Sequence, residues 1–232
     1  MTITVVIAAK DCEMWLEDTI SSLLRQTHKD WDCIISINGS SDRTEDIARN
    51  LKDPRIRVIN SSIPNKSLAL NRAIITSNSD WISILDADDL WHEDKLKTQA
   101  SFVTENSVDI VGTQMLYIDA HKAHIPNAPK LPNTHEECIV WLDNGNNPIA
   151  NSSVLYRRSI HDLVGYYDPE RFAVEDYDMW MRSKRANLKF SNIEHSLMLH
   201  RLHIKSHFNS TIKQANHKSV VDQLNSFYML EK

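Results

Sequence analysis

The stretch WISILDADDLW, residues 81–91, runs an apolar segment into Asp86, Asp88 and Asp89. Like charges this close repel and raise one another's pKa values, so the cluster needs a positive partner or open water. If the chain stays extended, alternation puts Asp86 and Asp88 on the same side. Two carboxylates at a sheet edge make a partial shell for a hard divalent cation. Mg2+ typically keeps one or two protein carboxylates and completes its octahedron with phosphate oxygens. The competing reading is a loop of solvated aspartates, with Asp89 capping a helix expected from about His92. A second acidic pair, Glu175 and Asp176, opens EDYDMWMR, where a favourable charge at a helix N-terminus would account for it. Arg201 and His203 lie two apart, so on a strand they share a face. From Arg182 to Lys232, Lys and Arg outnumber Asp and Glu, and five His join them. A basic end beside an acidic cluster suggests a site for anions held next to a metal.

Alternating elements must position these groups. ITVVIAA (3–9), WDCIISIN (31–38), RIRVIN (55–60) and WISILD (81–86) read as strands. Between them, 13–26 has apolar residues at helical spacing, GSSDRTEDIARNL is a capped helix after a loop, and NKSLALNRAIITS is a third helix. Strict strand–helix alternation predicts an α/β fold with a doubly wound, mostly parallel sheet. Ligands of such sheets bind beyond the carboxyl ends of the strands, so Asp11, Asn38 and Asp86 are expected to converge on one crevice. After about residue 105 the pattern loosens. VDIVGTQMLYID is a strand and the start of a hairpin, 120–137 a proline-rich polar loop, SSVLYRR a strand and AVEDYDMWMRSKR a helix. The amphipathic tail from 208 reads as helical.

The 232 residues suffice for one sizeable domain. A net charge of −5 with 25% charged residues argues against a nucleic-acid partner. Cys12, Cys33 and Cys138 are too far apart for a CxxC and odd in number, so free thiols are expected. No run reaches the roughly 18 apolar residues that span a membrane. The N-terminus has no basic n-region, so it is not read as a signal peptide and a cytoplasmic setting is expected. None of the four glycines forms GxGxxG or a Walker loop.

Several motifs together resemble family 2 glycosyltransferases of the GT-A fold. ILDADDLWHEDKLKTQ resembles their D-x-D-D segment and the helix ending in K-L-x-x-Q. VVIAAKDCEMWLEDTISSLLRQTHKDWDCIISINGSSDRT resembles their opening pattern through the G-S-x-D-x-T loop. SLALNRAI resembles the helix before the D-x-D strand, EDYDMWMR their E-D-Y-D-L-W-L-R helix, and HRLHIKS a late R-x-H segment. The matches occur in the family's order across most of the chain. The resemblance implies a mixed, mostly parallel GT-A sheet in one domain, residues 1–232. Within it, 1–105 would bind the nucleotide sugar, 106–207 the acceptor, and 208–232 would form a tail.

It also implies inverting transfer from a nucleotide diphosphate sugar, UDP-linked first among the candidates. The acceptor would be a hydroxyl of a glycan or lipid-linked saccharide, as in bacterial-type surface polysaccharide synthesis. Asp88 would ligate Mn2+ or Mg2+, with His203 as a further ligand or diphosphate contact, and Asp86 would hold ribose or donor sugar. Arg201 would pair with diphosphate, whose oxygens suit a guanidinium fork. Asp176 would be the general base and Glu175 its acceptor-side neighbour. The helix dipole is expected to keep Asp176 ionised, and Glu175 to point another way around the helix. Ala8, Lys10, Glu13, Asn38 and Asn65 match donor-binding positions. Asn151, in the loop NGNNPIANSS, is the expected acceptor contact.

Four positions depart from the pattern. Ile37 and Asn38 replace the usual aspartate pair, although an amide can still accept from a base N–H while donating to a carbonyl. Lys10 replaces a stacking tyrosine, and Leu70 stands where many relatives carry arginine. Nucleotidyl transfer would require a Gly-rich loop after the first strand, which AAKDCEMW lacks. An aspartyl phosphatase would place D-x-D after the first strand, not the fourth. A degenerate nucleotide-sugar-binding module is disfavoured by retention of Asp86, Asp88, Asp176 and His203. A lipid-linked acceptor would draw the chain to the inner membrane surface. The tail offers packing on its own domain, or alternatively a homodimer or membrane contact.

Overall fold

The computed structural model describes residues 1–171 and 173–203. The expected tail helix lies outside the described residues. The order is β1 (Ile3–Ala9), α1 (Leu16–Leu24), β2 (Trp31–Asn38), α2 (Thr44–Arg49), β3 (Ile56–Ser61), α3 (Lys66–Ile75), β4 (Trp81–Ile84) and β5 (Leu90–Trp91). There follow α4 (Lys95–Glu105), β6 (Ile110–Ile118), β7 (His124–Ile125), α5 (His135–Asp143), β8 (Leu155–Arg157), α6 (Ile160–Val164), α7 (Glu175–Arg185) and β9 (Phe190–Arg201). A single turn of 3₁₀ helix, Asn151–Ser153, precedes β8.

One mixed sheet runs β3-β2-β1-β4-β8-β6-β9-β5, with β7 paired to β6. The first four strands in that order are parallel, and β8 joins β4 antiparallel. Strands from both expected halves therefore share one sheet. Its centre explains the unbroken apolar runs: a strand covered on both faces has no polar side. Ile3, Val5 and Ile7 pack with Leu16, Ile20 and Leu23 of α1. Val6, one residue out of phase, packs with Leu70, Ala73 and Ile74 of α3 and with Tyr177 and Trp180 of α7. Val174, just before α7, and Tyr177 and Met181 within it, at helical spacing, all enter this second cluster.

The first helix starts later than its apolar spacing suggests. Cys12 O accepts from the N–H groups of Trp15 and Leu16, making a turn before α1. The polar loop at 120–137 is also more ordered than its composition implies. It contributes β7 and then a capping box, in which Thr134 Oγ1 accepts from Glu137 N and the Glu137 carboxylate accepts from Thr134 N.

The acceptor-side loop is anchored where β6 and β9 pair. Buried Asn192 donates to the carbonyls of Pro132 and Pro148, at 2.6 and 2.9 Å. It sits beside Gly112, where a Cβ would fall 2.1 Å from Asn192 Oδ1. Gly112→Ala should displace that amide and loosen the 147–151 loop. Overpacking of this kind typically costs about 1–3 kcal/mol. Thermal melts should show Tm lowered by several degrees, and an unchanged Tm would mean that the contact relaxes freely.

Candidate active site

The parallel strands bring Asp11, Asn38 and Asp86 to one edge of the sheet, and each is fixed by a different partner. Asp11 adopts a left-handed conformation, φ 48°, which Asp tolerates better than most residues. Its carboxylate accepts from Ser41 N at 2.7 Å and Ser41 Oγ at 3.0 Å. The Ser41 backbone N–H holds its pKa below the usual range against partial burial. Lys10 Nζ lies 3.6 Å from Asp11. Glu13 accepts from Arg43 N and Nε, and Ala8 is half-buried on β1.

Asn38 and Asn65 form a chain of contacts. Asn38 Oδ1 accepts from Asn65 N at 2.7 Å. Asn65 Oδ1 caps α3 by accepting from Leu68 N, and its Nδ2 donates to Pro169 O. The amide oxygen expected to read a base N–H is thus engaged by backbone, and Asn65 serves the helix start. Two turns of chain onward, Asn71 Nδ2 donates to Tyr167 O while Asn71 Oδ1 accepts from Tyr167 N. The lead-in to α7 is therefore docked on α3.

The three clustered aspartates have three separate partners. Asp86 Oδ1 meets Lys66 Nζ at 3.0 Å, and its N–H donates to Ser152 Oγ. Asp88 Oδ2 meets His203 Nε2 at 2.8 Å, and the His203 ring packs on Trp15 with centroids 3.8 Å apart. Asp89 is fully buried. It accepts from Arg201 N at 2.8 Å and approaches His200 Nδ1 at 3.2 Å. Asp89 does not cap a helix, since α4 begins at Lys95 after Asp94.

Arg201 also departs from expectation. Its side chain is fully buried, with Nε donating to Asp88 O and one terminal nitrogen donating to Asp119 O and Ala120 O. It braces the aspartate loop from behind. β9 ends at Arg201, so strand alternation no longer ties the two residues to one face: Arg201 is buried while His203, beyond the strand, reaches Asp88.

Across the crevice, Glu175 and Asp176 diverge as expected. Glu175 Oε1 lies 3.4 Å from Lys66 Nζ. Asp176 Oδ2 accepts from Asn147 Nδ2 at 2.8 Å, and its Oδ1 from Tyr177 N at 2.7 Å. The ionisation of Asp176 corrects the expectation of a low value. Burial, then the Glu175 charge, push it from 3.8 up to about 7. The side chain keeps some surface but lies deep in packed protein, where desolvation outweighs the helix terminus, Lys66 and the donated hydrogen bonds. Burial would draw Lys66 down, but Asp86, Glu175 and Asp176 together hold it well above the ordinary lysine range.

Asn151 is buried in the 3₁₀ turn beside Ser152, and its amide finds no hydrogen-bond partner among the described residues. Asp88 and His203 offer one carboxylate oxygen and one imidazole nitrogen, with the ring held by Trp15. Among the described residues no group of three or more His, Cys, Asp or Glu could hold a metal. That donor set fits a hard divalent ion which draws its remaining ligands from diphosphate and water.

The family model Glycosyl transferase family 2 matches residues 4–165. The chain belongs to that family. It is 28% identical over 212 residues to the O-antigen biosynthesis glycosyltransferase WbnJ of Escherichia coli, covering 88% of this chain and 81% of that protein. It is 26% identical over 219 residues to the UDP-Glc:alpha-D-GlcNAc-diphosphoundecaprenol beta-1,3-glucosyltransferase WfaP of Escherichia coli, covering 92% and 84%. Among solved structures, S. aureus TarS 1-349 in complex with UDP-GlcNAc superposes with TM-score 0.75 at 16% identity, over 99% of this chain and 72% of that one. The mannosyltransferase PcManGT of Pyrobaculum calidifontis, in complex with GDP-Man and Mn2+, gives TM-score 0.72 at 14% identity, over 94% and 62%. These likenesses establish the GT-A fold of this family 2 glycosyltransferase. Among the described residues no helix is long and apolar enough to cross a membrane.

The Asp89 contact generates a stability prediction. Burial pulls His200 down, but the Asp89 charge and hydrogen bond raise it from 6.5 to about 9. A raised histidine stabilises the fold fully below its unfolded value and loses that contribution as pH rises through about 9. His200 should therefore contribute a fall of on the order of 3 kcal/mol in denaturant stability, measured in chelator, from pH 6 to pH 10. Asp89→Asn should be weaker at pH 6 and should lose that part of the fall, keeping what other raised groups such as Asp176 and the buried thiols of Cys12 and Cys138 contribute. A variant as pH-dependent as the parent would exclude the pair as the cause.

Proposed function

We propose that this glycosyltransferase moves a sugar, with inversion, from a nucleotide diphosphate sugar to a hydroxyl of a glycan or lipid-linked acceptor in surface polysaccharide synthesis. The carrying observation is Asp86, at the end of β4, facing Glu175 and Asp176, at the start of α7, across a single ammonium. The kinship with WbnJ and WfaP supports the pathway class and an undecaprenol-linked acceptor. The fold shared with UDP-GlcNAc-bound TarS makes a UDP-sugar the first donor to test, although Asn38 leaves the base open.

In this reading Asp86 holds ribose or donor sugar, and Asn151 uses its unpaired amide on the acceptor. Ala8, Lys10 and Glu13 line the approach to the nucleoside. Asp88 and His203 would hold Mn2+ or Mg2+, which when bound neutralises charge developing on the departing diphosphate. The acceptor oxygen attacks the anomeric carbon, the bond to the diphosphate oxygen breaks, and that oxygen keeps the electron pair. The hydroxyl proton passes to Asp176, which must be ionised to receive it. A base titrating near 7 is matched to neutral operation.

Asp176→Asn keeps shape but removes basicity. Transfer should fall by roughly 10²–10⁴, with donor affinity within about threefold. In the parent, turnover should climb with pH through about 7. Near-normal turnover of Asp176→Asn beside an inactive Glu175→Gln would move the base to Glu175. Separately, Asp88→Ala should abolish the Mn2+-dependent part of nucleotide diphosphate binding measured by calorimetry. Unchanged affinity would remove Asp88 from the metal site.

A further inference from the structure

Lys66 occupies the first position of α3, directly after the capping Asn65. A cation at a helix N-terminus opposes the dipole, so α3 itself gains nothing from it. Its ammonium instead lies 3.0 Å from Asp86 Oδ1 and 3.4 Å from Glu175 Oε1. Only about a fifth of the side chain reaches solvent, while the Glu175 side chain is almost wholly covered, at 22% and 6% exposed. A pair so covered from water is weakly screened. One charge thus joins the strand end expected to face the donor to the helix start expected to face the acceptor.

We propose that Lys66 is a positioning residue: as the counter-charge shared by Asp86 and Glu175, it holds the donor-side carboxylate against the base-bearing end of α7 and shapes the field around Asp176. The proposal rests on the reading of Asp176 as base. Charged and titratable neighbours of Asp176 come from several elements: Glu175 on α7, Lys66 on α3, the Tyr167 phenol ahead of α7, and Asp86 behind Lys66. Asn147 and the Tyr177 N–H add hydrogen bonds. Burial and Glu175 favour the protonated acid, and Lys66 opposes them.

The sign follows directly. Without the ammonium, Asp176 faces Glu175 and Asp86 uncompensated, so it holds its proton to higher pH. A unit charge several ångströms away in such a site is worth roughly one to two pH units. With the base protonated over a wider range, the acidic limb of the turnover profile moves up by the same amount.

The test is carboxyl ¹³C NMR of aspartate-labelled full-length protein, with Asp176 assigned by its absence in Asp176→Asn. In Lys66→Met the Asp176 titration should rise by roughly one to two pH units, while in Lys66→Arg it should stay close to the parent. Should Lys66→Met alone not fold, the Glu175→Gln background keeps the charge balanced. There Lys66→Met should raise the titration by a similar amount over Glu175→Gln alone. In transfer assays Lys66→Met should lose roughly tenfold or more in kcat at pH 6.5 and regain most of it above pH 9. Lys66→Arg should track the parent. A kcat lowered equally at every pH, or an Asp176 titration indifferent to Lys66 in both backgrounds, overturns the proposal. Full turnover by Asp176→Asn would overturn the base assignment instead, and the NMR titration would still decide whether Lys66 governs that carboxyl.

Discussion

The arrangement of the site depends on a buried carboxylate, Asp89, which touches no expected substrate. Its oxygens accept from the backbone of Arg201 and face His200, and Arg201 returns to the carbonyl of Asp88. Residues more than a hundred positions apart are thereby closed into one unit. A buried charge is tolerated only when it is paired and hydrogen-bonded. Asp89 meets that condition only if β9 lies where it does. The same geometry delivers His203 to Asp88. Thr19 of α1 donates to the carbonyls of Ala87 and Asp89, so the loop is gripped from both sides.

The parallel half of the fold was legible because burial on both faces leaves a plain imprint. β1, β2 and β4 are short apolar runs, and the helices between them show 3.6-residue spacing. The later half was less legible because its order comes from polar contacts. The amides of Asn192 and Gln114 hold the proline-rich loop through backbone groups of Pro132 and Leu131, and such contacts have no period. One local signal was readable and unused: Thr134–Glu137, a T-x-x-E capping box at the start of α5.

At the site, the types and spacing of Asp86, Asp88, Glu175 and Asp176 pointed to carboxylate chemistry, but not to their partners. The cluster seemed to call for one shared cation, whereas each aspartate has its own partner. Arg201 and His203 do not share a face because β9 ends at Arg201, an end that residue spacing alone does not reveal. The value for Asp176 was misjudged because a helix start was weighed without the protein packed around it. Lys66 escaped notice, yet it broke a local rule: a lysine where the α3 dipole favours an acid. Such conflicts between local preference and context tend to mark functional positions.

The docking of 167–169 onto α3 has a consequence for how such chains diversify. Asn71 pairs with both backbone groups of Tyr167, and Asn65 holds Pro169 O. The α3 helix, in the crossover from β3 to β4, and the lead-in to the helix that carries the acidic pair are therefore joined as one block, despite about a hundred residues between them in sequence. Exchanging everything after residue 105 leaves both asparagines in the host. Because they meet only main-chain groups of Tyr167 and Pro169, an incoming segment is seated by where its backbone runs and not by its side chains. Recombinants of this fold should therefore tolerate new side chains at 167–169 better than insertions or deletions that shift that backbone.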